Sequence, residues 1–243
     1  MQFSIEAIAV NNEQQNYIWM LIDQEQQLAV AIDPYNADLV LNYCADKQLQ
    51  LTQIWITHKH KDHIGGLSKL RQYTEAKIYA PAVEKEAIVT ADFWLEDDAQ
   101  FTFSGLNISV IATTGHTLGH ICYFIDALDS LFCGDTLFAM GCGRVFEGTY
   151  EQMYAALNRL AALPPRTKVY CTHEYTQSNA EFALSVEPDN SALQQRYEDV
   201  KILRAENKIT LPSTIELELQ TNPFLRTQNV QEFAHIRRLK DQF

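Results

Sequence analysis

The sequence has little positive charge and no long apolar stretch. Lysine and arginine contribute 19 residues against 31 aspartates and glutamates, which gives a formal net charge of −12. Surfaces that bind nucleic acid carry a positive face, so this balance argues against DNA or RNA as a partner. No uninterrupted apolar run approaches the roughly 18 residues of a membrane-spanning helix, so we expect no span and no membrane partner.

Cysteines are few and scattered, and none of them forms a C-x-x-C pair. The five are Cys44, Cys122, Cys133, Cys142 and Cys171. An odd, scattered set predicts free thiols in a reducing compartment rather than a disulfide framework. The first ten residues also lack the basic region and long apolar stretch of a secretory signal peptide. We therefore expect a cytoplasmic location.

Length and composition are those of an ordinary globular protein, with 243 residues, 47% of them apolar and 21% charged. Strand and helix patterns alternate as far as His173, which predicts an α/β domain over 1–173. Beyond it we predict an all-helical domain over 174–243, whose helices cover 176–186, 191–207, 213–220 and 230–240. Ser213 and Glu216 have the spacing of a capping box at the third of these helices.

Three histidines and one carboxylate fall within six consecutive residues, from His58 to His63. The apolar run at 51–56 just before them predicts a buried strand. His58 and His60 project to one side of an extended chain, and His63 can join them where the chain begins to coil. Ligand-type side chains would then meet at the carboxyl end of a strand, where open α/β folds hold their sites. A solvated polar loop is the alternative, and the density of the cluster argues against it.

Three later strands also end in residues that can bind a metal, namely His116, Asp135 and His173. Five imidazoles and two carboxylates are too many for one four-coordinate zinc and suit two metals. Two metals about 3.5–4 Å apart need a shared ligand, and a carboxylate with two oxygens fits that role. We predict that Asp135 is the bridge and that Asp62 is the second carboxylate ligand.

Other reactive or aromatic side chains have plainer interpretations. His120 follows His116 by four residues, but flanking glycines and the missing glutamate exclude the helical H-E-x-x-H motif, so we predict a supporting hydrogen-bond role. Cys142 has no activating neighbour in the sequence, which indicates packing in a tight turn. We expect Phe93 and Trp94 in the core and His235 in solvent.

The pattern T-H-x-H-x-D-H, with the later His, Asp and His, resembles the metallo-β-lactamase superfamily. Along its whole length the chain is similar to one family of that superfamily, glyoxalase II (hydroxyacylglutathione hydrolase). The segments that carry the likeness are Thr57–His63, Gly115–His120, Cys133–Phe138, Gly141–Arg144, His173–Thr176, Asn222–Arg226 and Lys240–Phe243. The resemblance implies a four-layer αββα sandwich followed by the C-terminal helical domain.

The same resemblance implies a ligand set for two metals. One metal takes His58, His60 and His116, the other takes Asp62, His63 and His173, and Asp135 and a hydroxide bridge them. Zinc is our first choice, with iron or manganese as alternatives, because imidazole and carboxylate ligands suit all three.

Glutathione contacts in the family map to Arg144, Tyr175, Arg237 and Lys240. Arg144 stands where many relatives have lysine, which keeps the charge and allows a bidentate contact. Phe146 stands where tyrosine is common, so one hydroxyl contact is absent. Both departures concern substrate affinity and leave the metal chemistry unchanged.

The implied reaction is hydrolysis of S-D-lactoylglutathione, or another S-(2-hydroxyacyl)glutathione, to the hydroxy acid and glutathione. This is the second step of methylglyoxal detoxification, with metal-bridging hydroxide as nucleophile and Asp62 and Asp135 holding it in place. We expect a monomer with a small-molecule partner.

Alternatives on the same fold are a lactonase, a β-lactamase, another thioesterase, a mono-iron persulfide dioxygenase and a tRNA-processing nuclease. A non-catalytic metal-binding protein is a further alternative, which the complete ligand set disfavours. We call the helical part over 174–243 the tail. Its basic residues Arg237, Arg238 and Lys240 suit an anionic glutathione thioester.

Overall fold

The computed structural model describes residues 2–243, which form two compact units. One unit comprises residues 2–112 and 119–127, and the other comprises residues 113–118 and 128–243. Within the described residues, none of the helices combines the length and the apolar character needed to cross a membrane.

The first unit is built on a six-stranded sheet in chain order. Its strands are β1 (Phe3–Ala9), β2 (Tyr17–Asp23), β3 (Leu28–Ile32), β4 (Gln50–Trp55), β5 (Lys77–Pro81) and β6 (Phe93–Leu95). The first three strands are antiparallel, and β3 to β6 are parallel. Parallel neighbours require crossovers; α1 (Ala37–Asp46) connects β3 to β4, and α2 (Lys61–Ile64) and α3 (Leu67–Tyr73) lie between β4 and β5.

Apolar runs in the strands explain why this sheet is buried in the core of the unit. All seven residues of β2 are buried, as expected for a strand covered on both faces. The core below it combines Met20, Ile54 and Ile78 from the strands with Val40 of α1 and Leu70 of α3. The same unit contains an antiparallel ladder of β7 (Gln100–Phe103), β8 (Leu106–Ala112) and β9 (Ile121–Ile125).

The second unit has β10 (Ser130–Gly134) parallel to β13 (Lys168–Cys171), which pairs antiparallel with the short β14 (Ser213–Thr214). A small hairpin joins β11 (Leu137–Phe138) and β12 (Gly141–Cys142). The helices are α4 (Tyr150–Ala161), α5 (Thr176–Val186), α6 (Ser191–Ala205), α7 (Ile215–Thr221) and α8 (Val230–Gln242).

Two local predictions were wrong. The third helix of the tail begins at Ile215, capped by the Thr214 hydroxyl, because Ser213 belongs to β14 and its hydroxyl bonds to Glu218. Phe93 and Trp94 are 46% and 39% exposed, because they lie on β6 at the edge of the sheet. The α/β class and the helical C-terminal region are as predicted.

Candidate active site

The first unit gathers four predicted ligands directly after β4; we call His58, His60, Asp62 and His63 the first ligand group. The rings of His58 and His63 lie 4.0 Å apart, and Nε2 of His58 is 3.0 Å from Nδ1 of His60. Nε2 of His63 lies 3.5 Å from Oδ2 of Asp62. His58 and His63 are fully buried. The short helix α2, which begins after His60, turns the last two ligands towards the first two.

Asp33, at the carboxyl end of β3, orients this group and was missed by the sequence analysis. Its Oδ2 accepts from Nδ1 of His63 at 2.9 Å and from the Thr57 hydroxyl at 2.7 Å, while Oδ1 accepts from the Thr57 amide at 2.8 Å. A metal-binding histidine commonly donates its second ring N–H to such a carboxylate. The sequence feature that could have indicated Asp33 is its position directly after β3, the strand that pairs with β4.

Two further side chains support the first ligand group. Nδ2 of Asn16 donates to the backbone oxygen of Asp62 at 3.1 Å and to its Oδ2 at 3.2 Å, which fixes that carboxylate. His120 is buried and stacks on His58 with 4.8 Å between ring centroids. Its predicted hydrogen-bond role stays a prediction.

The second unit holds the remaining predicted ligands; we call His116, Asp135 and His173 the second ligand group. Asp135 and His173 follow the parallel strands β10 and β13, whose carboxyl ends adjoin at Gly134 and Cys171. Nε2 of His173 lies 3.2 Å from an Asp135 oxygen, and Nε2 of His116 lies 3.5 Å from Asp135 Oδ2. All three side chains are buried.

A glycine allows the backbone to pass beside Asp135. A Cβ at Gly143 would lie 1.8 Å from the Asp135 carbonyl oxygen and 3.2 Å from Nδ1 of His116. Any larger residue would therefore force the backbone at this point, or one of the two predicted ligands, to move.

The donor chemistry of both groups fits divalent cations. Nδ1 of His116 faces the Arg144 carbonyl at 2.8 Å and Nδ1 of His63 faces the Asp33 carboxylate, and each must donate because its partner only accepts. In a neutral imidazole this leaves Nε2 with a lone pair, which in each case points at a carboxylate oxygen. Two electron-rich atoms facing each other at 3.5 Å form a place for a cation.

A cavity of about 270 Å³ in the second unit joins two of its ligands to all four predicted glutathione contacts. Its walls are formed by His116, Asp135, Phe138, Cys142, Arg144, Phe146, Tyr175, Asn179, Arg237 and Lys240. Arg238 of the tail points elsewhere, with its guanidinium over the ring of Tyr150. Tyr175 stacks on the predicted ligand His173 with 4.7 Å between parallel rings.

The cationic wall of this cavity is partly desolvated. Arg237 is 4% exposed; its Nη1 donates to the Cys142 carbonyl at 2.8 Å and its guanidinium lies over the Phe224 ring. Lys240 lies between the rings of Phe182 and Phe243, and its Nζ donates to the Ser178 carbonyl. Burial, with a smaller effect of Arg237, lowers the pKa of Lys240 to about 8.

Cys142 lines the same cavity and is not poised as a nucleophile. The thiol is buried, and its burial raises the pKa of Cys142 to about 11 although Arg237 lies next to it. A thiol with this pKa carries almost no thiolate at neutral pH, which agrees with the packing role predicted for it.

The β11–β12 hairpin contributes Phe138 and Cys142 to the lining of the cavity. Polar side chains of the tail hydrogen-bond to the backbone of this hairpin. Nδ2 of Asn222 donates to the carbonyls of Phe138 at 3.1 Å and Gly141 at 2.9 Å. Glu218, fully buried, accepts from the Met140 amide at 2.8 Å and from Nη2 of Arg196 at 2.6 Å. Buried carbonyls and carboxylates are thereby satisfied within the unit.

Two family models match the chain. The family model described as the metallo-beta-lactamase superfamily matches residues 25–173, and the model described as the hydroxyacylglutathione hydrolase C-terminus matches residues 174–243. Hydroxyacylglutathione hydrolases of Pseudomonas putida (strain F1) and Pseudomonas fluorescens (strain SBW25) are 53% and 51% identical, each over 87% of this chain and 82% of the relative. A crystal structure of ETHE1 from Myxococcus xanthus superposes with a TM-score of 0.74 at 27% identity, covering 97% of this chain and 90% of that one.

The fold, the residue types of the two ligand groups and the match over residues 25–173 define a hydrolase of the metallo-β-lactamase superfamily that binds divalent metal. Within that superfamily, the chain belongs to the hydroxyacylglutathione hydrolase family, also called glyoxalase II.

Proposed function

We propose that this enzyme hydrolyses the thioester bond of S-(2-hydroxyacyl)glutathione, and of S-D-lactoylglutathione in particular. This would be the second step of methylglyoxal detoxification. The observation that carries the proposal is a cavity in which His116 and Asp135 lie beside Arg144, Tyr175, Arg237 and Lys240. Candidate metal ligands and a cationic wall within one cavity suit an anionic substrate that reacts at a metal.

We further propose that the two ligand groups together hold two divalent metals, with zinc as the first choice and iron or manganese as alternatives. Asp135 is the proposed bridge and Asp62 the second carboxylate ligand. When bound, such a pair would lower the pKa of a coordinated water to near neutrality and would polarise the thioester carbonyl.

Residues of the chain prepare this chemistry by fixing the ligands. Asp33 and the Arg144 carbonyl accept hydrogen bonds from Nδ1 of His63 and His116, so that the Nε2 lone pairs would be the ones to hold a metal. Asn16 holds the Asp62 carboxylate, and stacking of Tyr175 fixes the ring of His173. No serine or cysteine nucleophile is required, and the high pKa of Cys142 agrees with that.

The charges of the cavity suit glutathione. A glutathione thioester carries two carboxylates and one ammonium group, and a chain with a net charge of −12 would repel it without local cations. Arg144, Arg237 and Lys240 supply three positive charges on one wall. Residues 174–243 contribute two of them, which supports a substrate-binding role for that part and a catalytic role for residues 1–173.

Phe146 and Arg144, the two departures from the family pattern, both line the cavity. Phe146 lies edge-on against His116 at 5.2 Å and under the guanidinium of Arg144 at 5.8 Å. It offers an apolar face beside a ligand where a tyrosine would add a hydroxyl. We propose that Arg144 compensates through a charge-assisted contact with a substrate carboxylate.

The test is a hydrolysis assay on several acylglutathiones, with a neutral N-acetylcysteamine thioester, a lactone and a β-lactam as competitors. Preference for acylglutathiones by at least an order of magnitude in kcat/KM supports the proposal. Equal or faster turnover of the lactone or β-lactam would replace it by the rival hydrolases of this fold. A single iron per chain together with oxygen consumption would indicate the persulfide dioxygenase alternative. We further propose a cytoplasmic monomer with no nucleic-acid or membrane partner.

A further inference from the structure

Asp241, in the last turn of α8, places one carboxylate oxygen between two guanidinium groups of the cavity wall. Its Oδ1 lies 3.2 Å from Nε of Arg144 and 3.0 Å from Nη2 of Arg237. Asp241 follows Arg237 by four residues, so the helix itself holds the carboxylate at this point. A carboxylate of the chain therefore contacts the cations that an anionic ligand would seek.

The exposure of the three side chains shows that this contact can exchange. Asp241 is 32% and Arg144 54% exposed, whereas Arg237 is 4% exposed and also held by the Cys142 carbonyl. Partly exposed ion pairs contribute little net stability, so Arg144 can leave Asp241 for another carboxylate at small cost. Arg237 is the fixed member and Arg144 the movable one.

Competition of this kind affects substrate and product alike. Under the proposed function, hydrolysis releases glutathione, which keeps both carboxylates that attract the thioester to the wall. A wall of three unopposed cations would hold the product as firmly as the substrate. Interactions that are equal in ground state, transition state and product lower KM without accelerating the chemical step.

We propose that Asp241 is a built-in competitor for the ligand carboxylates, which weakens the binding of substrate and product together and so favours product release. The inference rests on the proposed function, because it takes glutathione as the product. It assigns to Asp241 a role in affinity, outside the metal chemistry.

The test compares Asp241→Asn with wild type, both metal-replete. The change keeps the shape of the side chain and removes its charge. We expect KM for S-D-lactoylglutathione and the dissociation constant of glutathione, measured by calorimetry, to fall about three- to tenfold. The effect should shrink as salt is added. Hydrolysis of a neutral N-acetylcysteamine thioester, which lacks these carboxylates, should not change, whereas a merely structural defect would slow it.

Asp199→Asn is the matched control, because Asp199 is exposed on α6 and does not line the cavity. In a double-mutant cycle, Arg144→Gln should remove most of the effect of Asp241→Asn. If Asp241→Asn fails to fold, as judged by circular dichroism, Asp241→Ser replaces it. Unchanged or weaker glutathione binding in the variant, or no glutathione binding to either protein, would overturn the inference. Wild-type protein that binds glutathione but hydrolyses no acylglutathione would contradict the proposed function alone.

Discussion

The buried carboxylate of Asp33 accepts a hydrogen bond of 2.9 Å from Nδ1 of His63 and thereby determines which nitrogen of that ring faces the ligands. We expect Asp33→Asn to lower metal affinity about 10- to 100-fold, because the amide no longer selects the tautomer whose Nε2 can bind a metal. Competition with a chromogenic chelator measures the change. Asp38→Asn, an exposed aspartate on α1, is the matched control. Equal affinity in wild type and Asp33→Asn would remove the orienting role.

Arg237 and Lys240 should act mainly on substrate binding. We predict that Arg237→Ala combined with Lys240→Ala raises KM far more than it lowers kcat, because both line the cavity without belonging to the ligand groups. Steady-state kinetics on S-D-lactoylglutathione provide the measurement. Arg238→Ala should change little, since this exposed neighbour lies over Tyr150. A large fall in kcat at unchanged KM would contradict the binding role.

Binding of glutathione should weaken in alkaline solution. Lys240 is charged below its pKa of about 8, which burial and the neighbouring Arg237 lower from the usual value, and it becomes neutral above that pH. The attraction for a carboxylate is therefore complete well below pH 8 and is lost as the pH rises through it. Calorimetric titration of glutathione between pH 6.5 and about 9.5 checks this. Lys240→Arg keeps its charge throughout and should flatten the curve; an identical alkaline loss in that variant would exclude Lys240 as the cause.

Asn222 should matter for stability through the hairpin that it holds. Asn222→Ala leaves the carbonyls of Phe138 and Gly141 without their side-chain donor in a buried place. We expect a loss of roughly 2–4 kcal/mol in the free energy of unfolding, measured in urea. Asn158→Ala, at an exposed position of α4 where Nδ2 bonds the Tyr154 carbonyl, should cost less than about 0.5 kcal/mol. Equal effects would show that the hairpin does not depend on this contact.

Gly143→Ala should damage the second ligand group. The added Cβ meets the Asp135 carbonyl oxygen at 1.8 Å, so the backbone or the ligand must move. We predict that hydrolysis and bound metal are lost together. An activity assay and elemental analysis of the purified variant measure the two. A variant with full metal content and normal kcat would show that the loop accommodates the methyl group elsewhere.

Much of the fold was readable because apolar periodicity carries it. The fully buried β2 and the apolar run of β4 predicted strands at nearly the observed bounds. The edge strand β6 and the short strand β14 were not predicted. Two or three residues are too few to show the alternation of apolar and polar side chains that marks a strand. Their pairing depends on neighbours distant in sequence, as the bonding of Ser213 to Glu218 illustrates.

The candidate ligands were readable for a different reason: they combine a rare density of histidines with positions at strand ends. The supporting residues Asp33, Asn16 and Asp241 could not be predicted in this way. They are common residue types, and their roles arise from contacts with residues 4 to 97 positions away in the chain. Asp33 became recognisable only once the parallel pairing of β3 with β4 placed the two strand ends side by side.

Metal content and activity measured on one sample test the central claim most directly. Metal-free protein is titrated with zinc while hydrolysis of S-D-lactoylglutathione and bound zinc are followed together. The account predicts that activity is absent without metal and reaches a plateau at two equivalents per chain. Metal-replete protein without thioester hydrolysis, or full activity at one equivalent with no second binding event, would contradict it.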